Sequence, residues 1–458
     1  MKRVRFRRRN IKTNIMPIIP PKKSTPVGPV ASVKDLQEPK GMHDVLPADQ
    51  PTWEMIRENA TSLATFYRFT RIQTPVLEHI SVFQKTEGEG SDLMEKEMYS
   101  LKTKGGDLLA LRPEGTPSVM RAYLQHSLSR LGQPQKLFYM EQMFRHDNPQ
   151  LGRYRQFTQI GFEIIGGVND PAYDAQVILI ASHLLKDSKV KGVGLRVNSV
   201  GCRVCRPNYK KALSVYYKNH EKSLCVDCQR RLKDNPLRLL DCKKEQCQPF
   251  KEKAPNFLDK LCAGCMGHLK EVLEYLDEMQ QPYRLDNTLV RGLDYYSRTV
   301  FEFAVEGKGS EVGALAGGGR FDYLAETLGG KPTPAVGFAA SFERIVDCLR
   351  LQETKIGPKP VRRVFVAHAG SLAKRKAFKV LESLRASGIP AAEAMSRDSL
   401  KAQLKAADKE GAVVAVIIGQ KEIYEETVIV RDLTNGLQET VPAPRMLEEI
   451  RKRLKASG

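Results

Sequence analysis

Apolar and polar residues alternate with period two along Gln156-Phe-Thr-Gln-Ile-Gly-Phe-Glu-Ile164. That is the spacing of a strand whose successive side chains face opposite ways. Upstream, Lys136-Leu-Phe-Tyr-Met-Glu-Gln-Met-Phe-Arg145 is rich in strand formers, and a basic turn joins the two segments. The alternation puts Gln159, Gly161 and Glu163 on one face. Two polar side chains then flank a residue with none, so a small polar ligand could lie on the sheet between them. Arg145 enters the turn and Arg153 and Arg155 leave it, where guanidinium groups could clamp a phosphate. The same pattern also fits an exposed hairpin with a solvated face.

The rest of the chain divides by its periodicities. Residues 52–65 read as an amphipathic helix and 71–80 as an extended segment broken by Pro75. Residues 96–102 and 107–111 read as paired strands around a Gly105-Gly106 turn, and 117–128 as a helix. A helical, charged segment at 201–281 interrupts this pattern as an inserted domain. Strand signals return at 283–290, 299–305 and 311–316. Residues 351–360 form a polar, Pro-containing linker. From 361 to 458 strands and helices alternate as in a doubly wound α/β unit. Strands are expected at 363–367, within 388–394, at 412–418 and at 428–431. Helices are expected at 372–387, at 399–410 and from Pro444 onward. One unit is thus predicted at 36–200 and 282–350, split by the insertion.

Composition adds a bias rather than an answer. With 458 residues the chain has room for about three domains, and 41% hydrophobic residues suit a globular protein. Nothing approaches the ~20 apolar residues of a membrane span, and no apolar signal-peptide core is present. The net charge is +20, and residues 1–34 hold ten Lys/Arg and no acid. We expect residues 1–35 to be a dispensable, disordered basic tail. A basic excess of this kind favours a polyanion such as RNA, or serves only solubility.

Eight of the nine cysteines fall in the insertion, as Cys202-x2-Cys205, Cys225-x2-Cys228, Cys242-x4-Cys247 and Cys262-x2-Cys265. Short turns of this kind bring two sulfurs to one metal, so one or two structural Zn2+ sites are expected. Reduced free thiols or a redox-sensitive cluster are the alternatives. Disulfides are disfavoured because nothing marks secretion.

Four further stretches carry candidate chemistry. In Leu111-Arg-Pro-Glu-Gly-Thr116, Glu114 and Thr116 could hold an ammonium group, or Thr116 could cap the helix that follows. Val290-Arg-Gly-Leu-Asp-Tyr-Tyr-Ser-Arg-Thr299 offers Arg291 to a carboxylate or phosphate, with Tyr295 and Tyr296 lining a pocket. Ala316-Gly-Gly-Gly-Arg-Phe-Asp-Tyr-Leu324 reads as a Gly-rich turn that a ligand could approach closely. In Gly337-Phe-Ala-Ala-Ser-Phe-Glu-Arg-Ile345 small residues lead into a helix bearing Arg344. An adenine or phosphate could sit there, or Glu343 and Arg344 could form a surface pair. No Walker loop, HExxH or GxSxG element occurs.

Together these elements resemble the histidyl-tRNA synthetases, a family of class II aminoacyl-tRNA synthetases, over about nine-tenths of the chain. Gly41-Met-His-Asp-Val-Leu-Pro47 looks like that family's N-terminal signature. Residues 52–77 look like class II motif 1, 144–163 like motif 2 and 337–345 like motif 3. Residues 291–296 and 316–324 resemble the two stretches peculiar to the histidine enzyme. The resemblance implies an α+β catalytic domain with a six-stranded-type antiparallel sheet. It also implies a helical Cys-rich insertion that contacts the tRNA acceptor arm, and a C-terminal α/β anticodon-binding domain. A cytoplasmic homodimer with no membrane association is expected.

The implied reaction activates L-histidine with ATP and Mg2+ to histidyl-adenylate plus pyrophosphate. Histidine is then transferred to the 3′ end of tRNA(His), releasing AMP. By position, Arg145 would hold the α-phosphate and Arg344 the γ-phosphate side, with Asp147 also on ATP. Glu114, Thr116 and Gln159 would bind the histidine α-amino group, with Gly115 and Tyr295 beside them. Glu163 and Tyr296 would read the imidazole. Arg291 would lie near the substrate carboxylate and α-phosphate, in an electrostatic part that other class II enzymes give to a metal ion. Arg145 and Arg291 are thus the expected catalytic pair. Two positions depart from the family pattern: Asp147 stands where Glu is common, and Ser341 where Gly is common. Two other readings compete with this one. One is the synthetase-like regulatory subunit of ATP phosphoribosyltransferase, the other a non-catalytic zinc-containing RNA-binding protein. The second leaves Glu114, Gln159, Glu163 and Tyr296 unexplained.

Overall fold

The computed structural model describes residues 36–87, 96–357 and 363–456. The tail expected at 1–35 lies outside them, as do residues 358–362 of the expected linker. The chain falls into two compact units that divide between Lys355 and Ile356.

Among the described residues, the first unit contains eleven strands. They are β1 (Thr70–Arg71), β2 (Leu77–His79), β3 (Ser100–Lys102), β4 (Leu108–Leu111), β5 (Gln135–Phe144) and β6 (Gln156–Ile165). They continue with β7 (Val193–Ser199), β8 (Arg284–Leu285), β9 (Ser297–Val305), β10 (Ala314–Arg320) and β11 (Ala335–Ser341). Eight form one sheet in the order β1-β5-β6-β11-β10-β9-β7-β8. Its six central strands pair antiparallel, and β1 and β8 add short parallel edges. The remaining three make a small antiparallel sheet, β2-β4-β3.

Residues 159–165 of β6 are buried, which removes the exposed-hairpin reading of 144–163. On one face of the central sheet Phe162 packs between Phe138 and Phe338, with ring centroids 4.9 and 5.2 Å away. The helices Gln50–Phe66 and Pro171–Asp187 close over that side. The first bears the alternation expected at 52–65, and its Trp53 stacks on Phe342 at 4.2 Å. The other face carries the site described below.

Three expectations change. The Gly-rich stretch is not a turn: Gly317, Gly318 and Gly319 lie inside β10, paired on both sides. Gly318 must be bare because a Cβ there would meet the Gly337 carbonyl oxygen at 2.1 Å. The strand expected at 283–290 shrinks to the two residues of β8. The one expected at 311–316 begins only at Ala314, after a 3-10 turn at Ser310–Val312.

The insertion is built of short helices, Cys205–Lys218, Val226–Asp234, Gln248–Glu252 and Ala263–Glu278, around a core of tyrosine, leucine and cysteine. Its last helix is anchored to the sheet through buried charge. Arg320 of β10 binds Asp174 of the Pro171–Asp187 helix, and His268 reaches the same carboxylate at 3.3 Å.

The second unit is a five-stranded sheet in the order β13-β12-β14-β15-β16. Its strands are β12 (Arg363–His368), β13 (Ala391–Glu393), β14 (Ala412–Ile418), β15 (Thr427–Asp432) and β16 (Gln438–Pro442). The first three are parallel, and β12 and β14 are buried on both faces by helices Ser371–Ala386, Leu400–Lys409 and Met446–Ala456, as apolar runs such as 412–418 require. The half formed by β15 and β16 is antiparallel, so the sheet is not wholly doubly wound. Its hairpin turn, Asp432-Leu-Thr-Asn-Gly436, is held by Asp432 accepting from the Thr434 and Asn435 backbone N–H groups. The Asn435-Gly436 pair is the local signal for this hairpin, although the alternation of strands and helices around it points to a doubly wound sheet.

Candidate active site

The floor of the site is one cross-strand row of the central sheet. Tyr139, Gly161, Ala339, Gly317 and Glu302 stand opposite one another on β5, β6, β11, β10 and β9. Directly paired residues share a face, so three small residues form a trough between a tyrosine and a carboxylate. Above it lies a cavity of about 450 Å³, a size suited to small-molecule ligands.

The trough is not open along its whole length. A Cβ at Gly161 would meet the Tyr139 ring at 2.0 Å, and one at Gly115 would meet it at 2.4 Å. The gap that alternation leaves at Gly161 is therefore filled by Tyr139, not by ligand. Gly115 likewise makes room for this ring and donates its N–H to Gln159 Oε1 at 3.2 Å. It does not line the cavity. Sequence reasoning misses Tyr139, because one tyrosine in a strand carries no special signal.

At this end the polar residues interlock. Tyr295 donates its hydroxyl to Glu114 Oε2 at 2.8 Å, and Thr116 donates its own to Glu163 Oε1 at 2.7 Å. Thr116 therefore does not cap the helix Thr116–Gln125, whose N-cap is Gly115. Glu114, Thr116, Gln159, Tyr295 and Tyr296 line the cavity, whereas Glu163 sits behind Thr116. Among the described residues, Glu114 Oε1 and Glu163 Oε2 are buried acceptors with no partner. Such atoms are costly unless a ligand donates to them. Burial pushes the Glu163 carboxyl up to about 8, and nearby Glu114 adds to the rise against the Thr116 and Tyr139 hydrogen bonds. Burial also pushes Tyr296 up to about 12, against the pull of Arg291.

The other end is cationic. Arg145, Arg153, Arg291 and Arg344 all line the cavity. Arg145 Nε donates to the Pro113 carbonyl at 2.9 Å, and its guanidinium lies 5.4 Å from the Phe157 ring centroid. Arg291 pairs with Glu302 at 2.9 Å and lies over Gly317, where a Cβ would come within 2.3 Å of it. Arg344 is half-buried, not in a surface pair with Glu343, and donates to the Gly152 and Ala314 carbonyls at 2.7 Å each. Glu343 instead accepts the Thr158 N–H. Burial, then Arg145, Arg153 and Arg291, lower the Arg344 guanidinium to about 10. Four guanidinium groups gathered on one cavity wall form a site for a polyanion.

Asp147 reaches the cavity and pairs with Arg153 at 3.2 Å. Ser341 caps the helix Phe342–Leu351 by accepting from the Arg344 N–H, a role glycine has no side chain to fill. Arg155 departs from the expected clamp: its Nε donates to the Asp147 carbonyl and its side chain packs on Gly41. Arg231, Arg238 and Asp241 of the insertion also line the cavity. No residue spacing points to them.

The eight insertion cysteines are free thiols arranged in two nested sets of four. Cys202, Cys205, Cys262 and Cys265 form the outer set, and Cys225, Cys228, Cys242 and Cys247 the inner. Within each set the four sulfurs lie within 4.8 Å of one another. Neighbouring sulfurs are 3.7 Å apart for Cys202–Cys205 and 3.9 Å for Cys225–Cys242. Tetrahedral zinc with Zn–S bonds of ~2.3 Å needs a separation of about 3.8 Å, so the residues fit the metal.

The sequence model of the family described as Histidyl-tRNA synthetase matches residues 41–205 and 235–345. That described as Anticodon binding domain matches residues 363–453. A Histidine--tRNA ligase of Dehalococcoides mccartyi is 44% identical over 420 residues, covering 91% of this chain and 100% of the relative. One of Halothermothrix orenii is 41% identical over 418 residues, covering 91% and 99%. Among solved structures, apo S. aureus histidyl-tRNA synthetase superposes with a TM-score of 0.75 at 33% identity. It covers 90% of this chain and 99% of its own.

Proposed function

The chain belongs to the histidyl-tRNA synthetase family, and we propose that the cavity above the Ala339–Gly317 floor is where it activates histidine for ligation to tRNA(His). The observation that carries this reading is the polarity of the cavity. One end holds the partnerless buried carboxylate oxygen of Glu114, with that of Glu163 just behind Thr116, and the other holds four arginines.

Glu114, Thr116 and Gln159 take the α-amino group of L-histidine. Glu163 and Tyr296 read the imidazole, which can donate to the empty Glu163 Oε2. A buried polar pocket rejects analogues by leaving such atoms unpaired, which discriminates by about 10⁴-fold or more. ATP enters as its Mg2+ complex. Arg145 holds it at the α-phosphate and Arg344 at the γ-phosphate, with Asp147 also on ATP and Arg153 beside them. The histidine carboxylate attacks the α-phosphorus and pyrophosphate leaves. Arg291, between the two substrates, stabilises the charge that builds on the phosphorus, so catalysis rests on positioning and electrostatics. The adenylate then yields its acyl group to the 3′-terminal ribose of tRNA(His), and AMP departs.

The remaining parts of the proposal concern assembly. The 363–453 unit reads the anticodon, and the insertion faces the acceptor arm. Each chain carries two structural Zn2+ ions, one per cysteine set. The enzyme is a cytoplasmic homodimer joined along the face where Val76, Leu77 and Leu131 are exposed. It has no membrane association; among the described residues no helix is long and apolar enough to cross a bilayer. The regulatory-subunit reading gains nothing here, because the anticodon-type unit and the arginine set are both present.

Histidine-dependent ATP–pyrophosphate exchange followed by charging of tRNA(His) tests the proposal. Absence of exchange with the wild type overturns it. Arg291→Ala is expected to abolish exchange almost completely while leaving the dimer intact.

A further inference from the structure

The outer cysteine set lies at a mechanical junction. Cys202 follows β7 closely, and Cys262 caps the helix Ala263–Glu278 that leads back to the sheet. The two ends of the insertion are thus joined where it leaves the catalytic unit. Sulfurs of Cys202 and Cys262, sixty residues apart, are 4.0 Å from each other. Backbone N–H groups are aimed at the sulfurs, from Val204 to Cys202 Sγ at 3.4 Å and from Cys262 to Cys205 Sγ at 3.1 Å. Donors in that arrangement stabilise thiolates, the form that binds a metal.

The residues carried by this knuckle point at the histidine pocket. Arg203, between the two cysteines, lies 3.9 Å over the Tyr323 ring and pairs with Glu326 at 2.5 Å. Arg206, next after Cys205, donates to the Asp294 carbonyl at 3.1 Å and also to the Tyr296 carbonyl. Two arginines of one knuckle therefore grip the two stretches that resemble the histidine-specific signatures, 291–296 and 316–324. The backbone of Tyr296 is held by a guanidinium, and its ring faces the cavity. The ATP end has no such dependence: Arg145 and Arg344 are fixed by carbonyls at Pro113, Gly152 and Ala314.

We infer that zinc in the Cys202–Cys205–Cys262–Cys265 set is a positioning element for histidine, acting through Arg206 on the backbone of Tyr296. The inference rests on reading this end of the cavity as the histidine site. Zinc fixes the course of the knuckle. A fixed knuckle keeps both Arg206 donors on the 294–296 backbone, and that backbone sets the height of the Tyr296 ring over the floor. Losing the metal frees the knuckle and loosens histidine without loosening ATP.

The test compares full-length wild type, Arg206→Ala, Arg206→Lys and Cys262→Ser/Cys265→Ser. Zinc per chain is measured, with calorimetric Kd values for histidine and for ATP and the melting temperature of each protein. The wild type is expected to carry two zinc ions and the cysteine variant one. Arg206→Ala is expected to keep two zinc ions and weaken histidine about tenfold, the loss typical of a charge-assisted hydrogen bond. ATP should stay within about twofold, since its contacts do not involve Arg206. Arg206→Lys, which keeps one donor to the same backbone, should recover part of the loss. The cysteine variant should share the selective histidine defect.

Unchanged histidine affinity in Arg206→Ala overturns the inference, as does equal weakening of histidine and ATP, which marks a general structural role. A wild type without zinc, or a cysteine variant that retains both ions, also overturns it. Arg206→Ala isolates the link even if the cysteine variant does not fold. Failure of histidine-dependent exchange in the wild type overturns the proposed function instead, and is read separately from these binding values.

Discussion

The Tyr139 ring lies across the bare Cα of Gly161, its partner on the neighbouring strand, so closely that a Cβ would stand 2.0 Å from the ring carbon Cζ. The tyrosine is buried, and its hydroxyl reaches the Glu163 carboxylate at 3.4 Å. The pair sets the depth of the histidine end.

Gly161→Ala should therefore displace Tyr139, costing about 1–3 kcal/mol of stability from overpacking. It should also weaken histidine by disturbing Glu163. Tyr139→Ala leaves a void, but the double variant should be more stable than the two single losses add up to, because the clash is gone. Urea unfolding of all four proteins measures the coupling. Strict additivity would mean that the two residues do not interact.

The hairpin is readable in the sequence because period-two alternation survives when a strand is buried on one side by phenylalanine and on the other by polar groups. The glycines of β10 mislead for a physical reason. Glycine weakens a strand and usually marks a turn, and only the tertiary neighbours, Arg291 over Gly317 and the Gly337 carbonyl against Gly318, explain its presence inside one. The CxxC spacings show that sulfurs meet in pairs. They do not show that the first pair joins the last, nor that Arg206 lands on Tyr296, since both depend on how 60 residues of insertion fold back. Arg145, Arg291 and Arg344 are legible because their neighbouring residues resemble family motifs. Arg238 and Asp241 carry no such neighbours.

Arg344→Ala should raise the KM for ATP by about 10- to 100-fold, the range expected when a charge-assisted hydrogen bond is lost. The KM for histidine should change little, because Arg344 lies at the opposite end. Apparent ATP affinity in the wild type should fall as salt rises, since the Arg145, Arg153 and Arg291 charges that depress Arg344 also attract the phosphates. Exchange kinetics at several ionic strengths check both points. An equal rise in both KM values in the variant would remove Arg344 from the ATP contact.

Asp174→Asn should destabilise the catalytic unit by up to about 3–5 kcal/mol, because it removes the main counter-charge of the buried Arg320 and leaves only Asp322, at 3.2 Å. Burial pushes the Asp174 carboxyl up, but Arg320 and His268 outweigh it and hold it down at about 2. A lowered folded-state pKa gives stability that is present above the ordinary aspartate range and is lost as the pH falls from about 4 through 2. Acid unfolding followed by circular dichroism should show that loss in the wild type and a flatter profile in the variant. Parallel profiles would sink the assignment.

Glu163 has the opposite sign. Its folded-state carboxyl is raised from 4.5 to about 8, with burial the largest cause. Its contribution to stability is therefore fully present below about pH 4.5 and is lost as the pH climbs toward 8. Glu163→Gln keeps the shape and removes the charge. Relative to wild type, the variant should gain stability steadily from pH 5 to pH 8. The gain is at most a few kcal/mol, because each tenfold change in acidity between the folded and unfolded chain is worth about 1.4 kcal/mol. Where the pH reaches about 8 and the folded-state carboxyl ionises, the variant should also bind histidine more weakly by about tenfold or more, because an amide is a poorer acceptor than a carboxylate for the imidazole N–H. Urea unfolding at pH 5 and pH 8, paired with calorimetric histidine binding at both, separates the effects. A stability difference that does not vary with pH would show that Glu163 is already ionised in the folded protein. Unaltered histidine affinity would show that its free oxygen does not face the imidazole.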